Sequence, residues 1–181
     1  MIANLTTDPT SCIYNSMASR RHEAPAPPTA SARISSECLA VRVRILGRVV
    51  TSIYDEALRP FDVTVGQINI LVTVTTLGDN AAGADAAPTQ SMIGNILAME
   101  KSTLSRNVER LVRDGLLRRT TGEDARSKRL RVTAKGQRLI ERILPAWERA
   151  QSRAQELLGP TAEHALHESA DEVWRKAGRT G

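Results

Sequence analysis

Residues 100–119, EKSTLSRNVERLVRDGLLRR, and residues 124–136, DARSKRLRVTAKG, decide the fold of this chain. At about 100° per residue, Leu104, Val108, Leu111 and Val112 share one side of a helix over 102–114. Ser102, Arg106, Arg110 and Arg113 share the other side, with Thr103 and Asn107 on a flank. Gly115 stands where a helix ends in a left-handed residue. The run 116–121 then reads as a strand, 122–127 as a turn and 128–133 as a returning strand. Leu130 and Val132 fall on one face of that strand and basic residues on the other.

Upstream of this helix, Thr89 stands as the N-cap of a short helix whose apolar side is Met92, Ile93, Ile96 and Leu97. A tight connection over 98–101 joins the two. The order from 89 to 136 is therefore helix, turn, helix, hairpin, helix. In a helix-turn-helix the second helix enters the major groove of DNA, so it needs one apolar face to pack and one face of hydrogen-bond donors. The 102–114 helix has that division. Arginine suits a guanine edge, and serine and threonine suit base edges or phosphates.

Charge points the same way. From 101 to 138 there are twelve positive side chains against four negative, a net of +8 in a chain whose total is +5 with a pI of about 9.8. The rest of the chain is acidic on balance. Such a concentration gives salt-sensitive affinity for phosphates. Arg126, at the hairpin tip, is placed to enter the narrow minor groove, where the negative potential is deepest.

Outside this stretch the reading is coarser. Residues 1–35, with Pro9, Pro25, Pro27 and Pro28 among Ser, Thr and Ala, read as a disordered arm. Ser36 caps a helix running to about Leu58, with a stripe of Leu39, Val43, Leu46, Val50, Ile53 and Ala57, and Pro60 ends it. From Thr64 an apolar segment runs to about Leu77. Its β-branched residues favour a strand, but its length and the spacing Val65, Ile68, Leu71, Val72 favour a buried helix, which we adopt. Residues 78–88 form a flexible loop by composition. Thr133 caps a long helix to about Leu158, interrupted at Pro145, and Pro160 begins a last amphipathic helix. Gly94 costs its helix about 1 kcal/mol relative to alanine.

The two quoted segments resemble the recognition helix and wing of MarR-family regulators. In that family the wing carries Asp-x-Arg, matched by Asp124 and Arg126, then a strand ending in Leu/Val-Thr-x-x-Gly, matched by Val132, Thr133 and Gly136. The upstream LRPFDVTVGQINIL is similar to the family's approach to its second helix. The resemblance covers about 38–158. It implies a mostly α (α+β) fold: a winged helix-turn-helix lobe with a two-stranded wing over 61–133, flanked within 36–178 by dimerisation helices at 36–58 and 134–178.

The resemblance implies that Ser102, Thr103, Ser105, Arg106 and Arg110 face the major groove. Arg126, Lys128 and Arg129 then serve the minor groove and flanking phosphates, while Asp124 holds the wing. It further implies a homodimer on a near-palindromic double-stranded DNA site, and a repressor released by a ligand or by oxidation. The ligand would be a small aromatic or phenolic effector between the lobe and the dimer helices. Trp147 and Tyr54 are candidates to line such a site, with ordinary packing as the competing role.

Cys38 lies in the region where the organic-peroxide-sensing branch of the family carries its reactive cysteine, which makes it a candidate redox sensor. The adjacent Glu37 opposes a depressed thiol pKa, and the spacing to Tyr54 does not fit that branch.

Other classes find less support. Two cysteines, Cys12 and Cys38, form neither a disulfide framework nor a metal spacing, and the expected compartment is a reducing cytoplasm. His164 and His167 are one helical turn apart, but surface histidines account for them, so no metal or cofactor is expected. No apolar run reaches the length of a membrane span, and Arg20-Arg21 is followed by polar residues and proline rather than an export signal's apolar stretch. No nucleophile and base arrangement points to an enzyme. The alternative class is a winged-helix module that binds an acidic protein without sequence-specific DNA binding.

Overall fold

A computed structural model describes residues 29–79, 87–121 and 128–176. The chain divides into two compact units, Met1–Val43 and Arg44–Gly181. In order, the described elements are α1 (Ala30–Glu37), α2 (Leu39–Leu58), a 3-10 turn (Arg59–Phe61), α3 (Val65–Asp79), α4 (Gln90–Ile96), α5 (Lys101–Arg113), β1 (Leu117–Thr121), β2 (Lys128–Val132) and α6 (Ala134–Lys176). The fold is thus mostly helical with one two-stranded antiparallel sheet.

The first helical turn lies ahead of the expected boundary at 36. Thr29, not Ser36, is the N-cap, its hydroxyl accepting from Ala32 N at 3.3 Å. Ser36 sits inside α1 and bonds back to the Arg33 carbonyl at 3.2 Å, a back-bond open to serine within a helix. Residues 30–35, expected in a disordered arm, are therefore helical. Cys38, with extended backbone (φ −66°, ψ 106°), separates α1 from α2.

α3 is the central helix. Ile68, Ile70, Leu71 and Val74 are buried on it, and it packs on α4, α5, α6 and β2. Tertiary burial overrides the β preference of its branched residues, and Thr75 ties its hydroxyl to the Leu71 carbonyl at 3.0 Å. Its start is doubly fixed. Thr64 Oγ1 accepts from Gln67 N at 3.3 Å, while Gln67 Oε1 accepts from Thr64 N at 3.1 Å. This is a reciprocal capping box, and Gln67 is buried. Asp55 on α2 also accepts from Val65 N at 2.7 Å.

The main core joins the end of α2, α3, α4, α5, the sheet and the start of α6 through Leu58, Ile70, Leu71, Ile93, Val108, Leu111, Leu117, Leu130 and Ile143. A smaller cluster packs Ile53 of α2 on Ala150 and Ala154 of α6, flanked by Tyr54 and Ala57. Small side chains one helical turn apart let these two helices approach closely.

Pro145 does not interrupt α6. The non-helical residue inside it is Gly159 (φ 70°, ψ 162°), just before Pro160. Pro145 removes one helical donor, but it and Glu141, four residues before it, lie on the solvent side. Water can therefore satisfy the carbonyl left without a partner.

Candidate nucleic-acid interface

α5 buries Leu104, Val108 and Leu111 in the core and turns Ser102, Arg106 and Arg113 to solvent. Its N-cap is Glu100, whose carboxylate accepts from Lys101 N at 2.7 Å. Its C-terminus closes at Gly115 (φ 71°) with two bonds, Gly115 N to Val112 O at 3.0 Å and Leu116 N to Leu111 O at 2.8 Å. That is a Schellman cap, with the glycine supplying the left-handed residue.

α4 holds α5 at close range. A Cβ on Gly94 would lie 2.9 Å from Leu104 Cδ2, so the glycine that weakens α4 by propensity is what lets α5 pack against it. The turn between the two helices passes through Ala98 in left-handed backbone (φ 47°), and Met99 N closes onto Gly94 O at 2.9 Å.

The hairpin pairs Leu117 with Val132, Arg118 with Arg131, Arg119 with Leu130, Thr120 with Arg129 and Thr121 with Lys128. Leu117 and Leu130 anchor it in the core. Residues 87 and 88, the end of the expected loop, meet its edge together with the N-cap Thr89. Leu130 N donates to Pro88 O at 3.0 Å, and Thr89 bridges Arg129. A single isolated bridge has no alternation pattern to announce it in sequence. Behind the hairpin, Thr133 Oγ1 accepts from Gly136 N at 3.1 Å and donates to Gly115 O at 2.7 Å. The Val-Thr-x-x-Gly pattern is thus a helix cap that also locks the end of α5 to the start of α6.

The residues singled out in sequence fall as follows. Ser102 and Arg106 are exposed on α5. Thr103 and Ser105 are half-buried. The Thr103 carbonyl accepts from Asn107 Nδ2 at 3.0 Å, and the Ser105 hydroxyl reaches Glu109 Oε1 at 3.4 Å. Arg110 is engaged within the protein, bonded to the carboxylate and carbonyl of Asp62 at 2.9 and 3.2 Å and 3.6 Å from Asp114. Arg129 is half-buried and donates to the Ala87 carbonyl at 2.8 Å, so at least part of its guanidinium fastens the wing root. Lys128 opens β2. Asp124 and Arg126 lie outside the described residues. Sequence reasoning missed Asp62, whose partner is 48 residues away. It also missed the capping box, although Thr-x-x-Gln before an apolar run is its local signature.

Cys38 is half-exposed, its carbonyl accepting from Arg42 Nη1 at 3.3 Å. Trp147 lines an apolar cavity of about 340 Å³ with Ile68, Asn69, Val72, Leu97, Ile140 and Leu144 among its walls. Tyr54 packs on Trp147 at 6.4 Å between ring centroids and donates to Gln151 Oε1 rather than lining that cavity. Burial, and secondarily the Glu163 carboxylate, push the Tyr54 phenol up from its ordinary pKa. Its hydroxyl therefore stays a donor. Among the described residues, no single helix is long and apolar enough to cross a membrane.

A capped helix-turn-helix followed by a hairpin packed on the same core defines a winged helix-turn-helix protein. Residues 61–127 match the model of the MarR family. Among solved structures it is similar to the M. tuberculosis transcriptional regulator MosR in complex with DNA, at 29% identity, TM-score 0.63, covering 78% of this chain and 97% of that one. It shares its fold with a mutant MarR from E. coli complexed with operator DNA, at 17% identity, TM-score 0.65 and coverage of 78% and 96%. CouR from Rhodococcus jostii RHA1 bound to p-coumaroyl-CoA has the same fold, at 20% identity, TM-score 0.61 and coverage of 77% and 93%. No curated protein matches the chain by sequence.

Proposed function

We propose that this chain is a sequence-specific double-stranded DNA-binding regulator, acting as a homodimer on a near-palindromic operator and repressing until an effector releases it. The observation that carries the reading is the division of α5: three apolar residues locked in the core, and Ser102, Arg106 and Arg113 presented outward beside a cationic hairpin. Ser102, Thr103, Ser105 and Arg106 are the proposed major-groove residues. Lys128 and Arg126 are proposed for the wing, with Asp124 holding its turn. The similarity to MosR, solved with DNA, supports this assignment. The chain acts through binding rather than catalysis, in the cytoplasm, the compartment that this role requires.

The dimer is supported by exposed apolar residues on α2, with Leu39 at 75% and Val43 at 68%. Leu157, Leu166 and Val173 of α6 are exposed as well. Such a face in one chain marks an interaction surface. The cavity beside Trp147 supports a small aromatic effector, since its volume is within the usual range for ligand sites and its walls are apolar. Oxidation of Cys38 is the secondary proposal for release.

The test is a titration at two salt concentrations of DNA from upstream of the gene and a scrambled duplex of equal length. Saturable preference for the native duplex, one dimer per site, is expected. Equal weak binding to both that vanishes with salt refutes the reading and leaves a winged-helix module for an acidic protein.

A further inference from the structure

Asp62 ends the 3-10 turn after α2 in left-handed backbone (φ 55°), with its N–H bonded to Arg59 O at 3.1 Å. Aspartate tolerates this conformation better than most residues. Its carboxylate and its carbonyl both accept from Arg110 Nη2, at 2.9 and 3.2 Å. Arg110 Nε lies 3.6 Å from Asp114. The guanidinium therefore runs from the recognition helix to a turn that is itself rigid. Pro60 lies inside that turn, Val63 beside it is buried, and the Thr64–Gln67 capping box follows directly.

We propose that Asp62 is a positioning residue for DNA recognition, holding α5 in register through Arg110, and that Arg110 acts as a clamp rather than as a reader of bases. The proposal rests on the DNA-binding reading above. The pair is exposed, with side-chain accessibilities of 38% for Arg110 and 91% for Asp62, and exposed ion pairs add little to global stability. Recognition is less forgiving, because contacting side chains must be held within about 0.5 Å of their productive places. Loss of the clamp should therefore appear in affinity before it appears in unfolding.

The experiment compares wild type, Asp62→Gly, Asp62→Asn, Arg110→Ala and the Asp62→Gly/Arg110→Ala double variant. Glycine keeps the left-handed backbone without strain, and asparagine keeps an acceptor of the same shape. The probe is the duplex from upstream of the gene, titrated across salt. Amide exchange of residues 101–113 is followed without DNA.

The expected results are an affinity loss of about fivefold for Asp62→Gly, the upper range for an exposed pair, and near-complete retention for Asp62→Asn. The salt slope should be unchanged, α5 exchange faster in Asp62→Gly, and the double variant no weaker than Arg110→Ala. Wild-type affinity in Asp62→Gly overturns the proposal, as does a salt slope lowered by about 0.9 in Arg110→Ala, which marks a direct phosphate contact. If wild type shows no preference for the native duplex, the DNA reading fails by itself. Exchange of α5 then decides the clamp, with unchanged protection in Asp62→Gly overturning it.

Discussion

Substituting Gly136 by alanine places a methyl group where backbone already stands. The new Cβ would press on the Leu116 carbonyl oxygen, closer than real contacts allow, and would lie 2.7 Å from Val132 Cγ1 and 3.2 Å from the Leu116 carbonyl carbon. Helix propensity alone favours alanine by about 1 kcal/mol. The clash opposes it, and overpacking typically costs about 1–3 kcal/mol. The cost falls at the upper end here, because the obstacle is main chain held by Thr133 N at 3.0 Å and cannot rotate away. Relief requires moving the first turn of α6, which strains the Thr133 cap. The expected net effect is a loss of roughly 1–3 kcal/mol, or a Tm about 3–10 °C lower for a chain of this size. Gly94→Ala meets only the end of a leucine side chain, at 2.9 Å, and should cost less. Gly66→Ala finds its nearest atoms at 3.9 and 4.0 Å and should be neutral or stabilising by up to about 1 kcal/mol. Thermal and urea unfolding at one fixed protein concentration ranks the three. A Gly136→Ala protein as stable as wild type would refute the packing argument.

Arg106→Ala should weaken operator binding about tenfold or more while leaving urea unfolding unchanged, because no partner holds this side chain among the described residues; unaltered affinity at moderate salt would remove it from the interface. Thr133→Val should lose about 1 kcal/mol of stability, the usual worth of a helix cap, with Thr133→Ser restoring most of it; equal stability of all three in urea would contradict the capping role. Paired Leu39→Asp and Val43→Asp substitutions should convert the proposed dimer to monomer in sedimentation and abolish tight operator binding. A dimer that survives them places the interface elsewhere.

The sequence showed most plainly what depends on local pattern. The two faces of α5, the glycine cap at 115, the Thr133 cap and the alternation of β2 are each set by residues within a few positions of one another. Elements whose reasons are tertiary were less legible. α3 is buried around so much of its surface that its periodicity hardly separates helix from strand. Gly94 looks like a defect until Leu104 is brought against it. Pro145 reads as a break because the sequence does not show that Pro145 and Glu141 face water. The bridge from Thr89 to Arg129 exists only because β2 offers an edge to it. The Asp62–Arg110 bond joins segments 48 residues apart, and neither residue type announces the other. For the same reason Arg110 and Arg129, counted by charge alone, look like free DNA-binding cations.

That distinction changes how the charge should be used. Twelve positive side chains lie between 101 and 138, but several have work inside the protein. Arg110 holds Asp62, Arg129 bonds the Ala87 carbonyl and Lys135 bonds the Asp114 carbonyl at 2.7 Å. These contacts tie α5, the wing and α6 together, and breaking them to reach phosphate would loosen the frame that aims α5. Arg106, Arg118, Arg119 and Arg138 are exposed without such a bond among the described residues. If all twelve met phosphates, the salt slope per protomer would approach about 11. The frame argument requires a much smaller slope, set by the free cations. On the proposed DNA-binding reading it also concentrates base contacts in the first two turns of α5, where Ser102 and Arg106 project, the end of a recognition helix that ordinarily meets base edges. A measured slope near the full count would show that the engaged arginines are released on binding, and that the frame is remade by DNA rather than built beforehand.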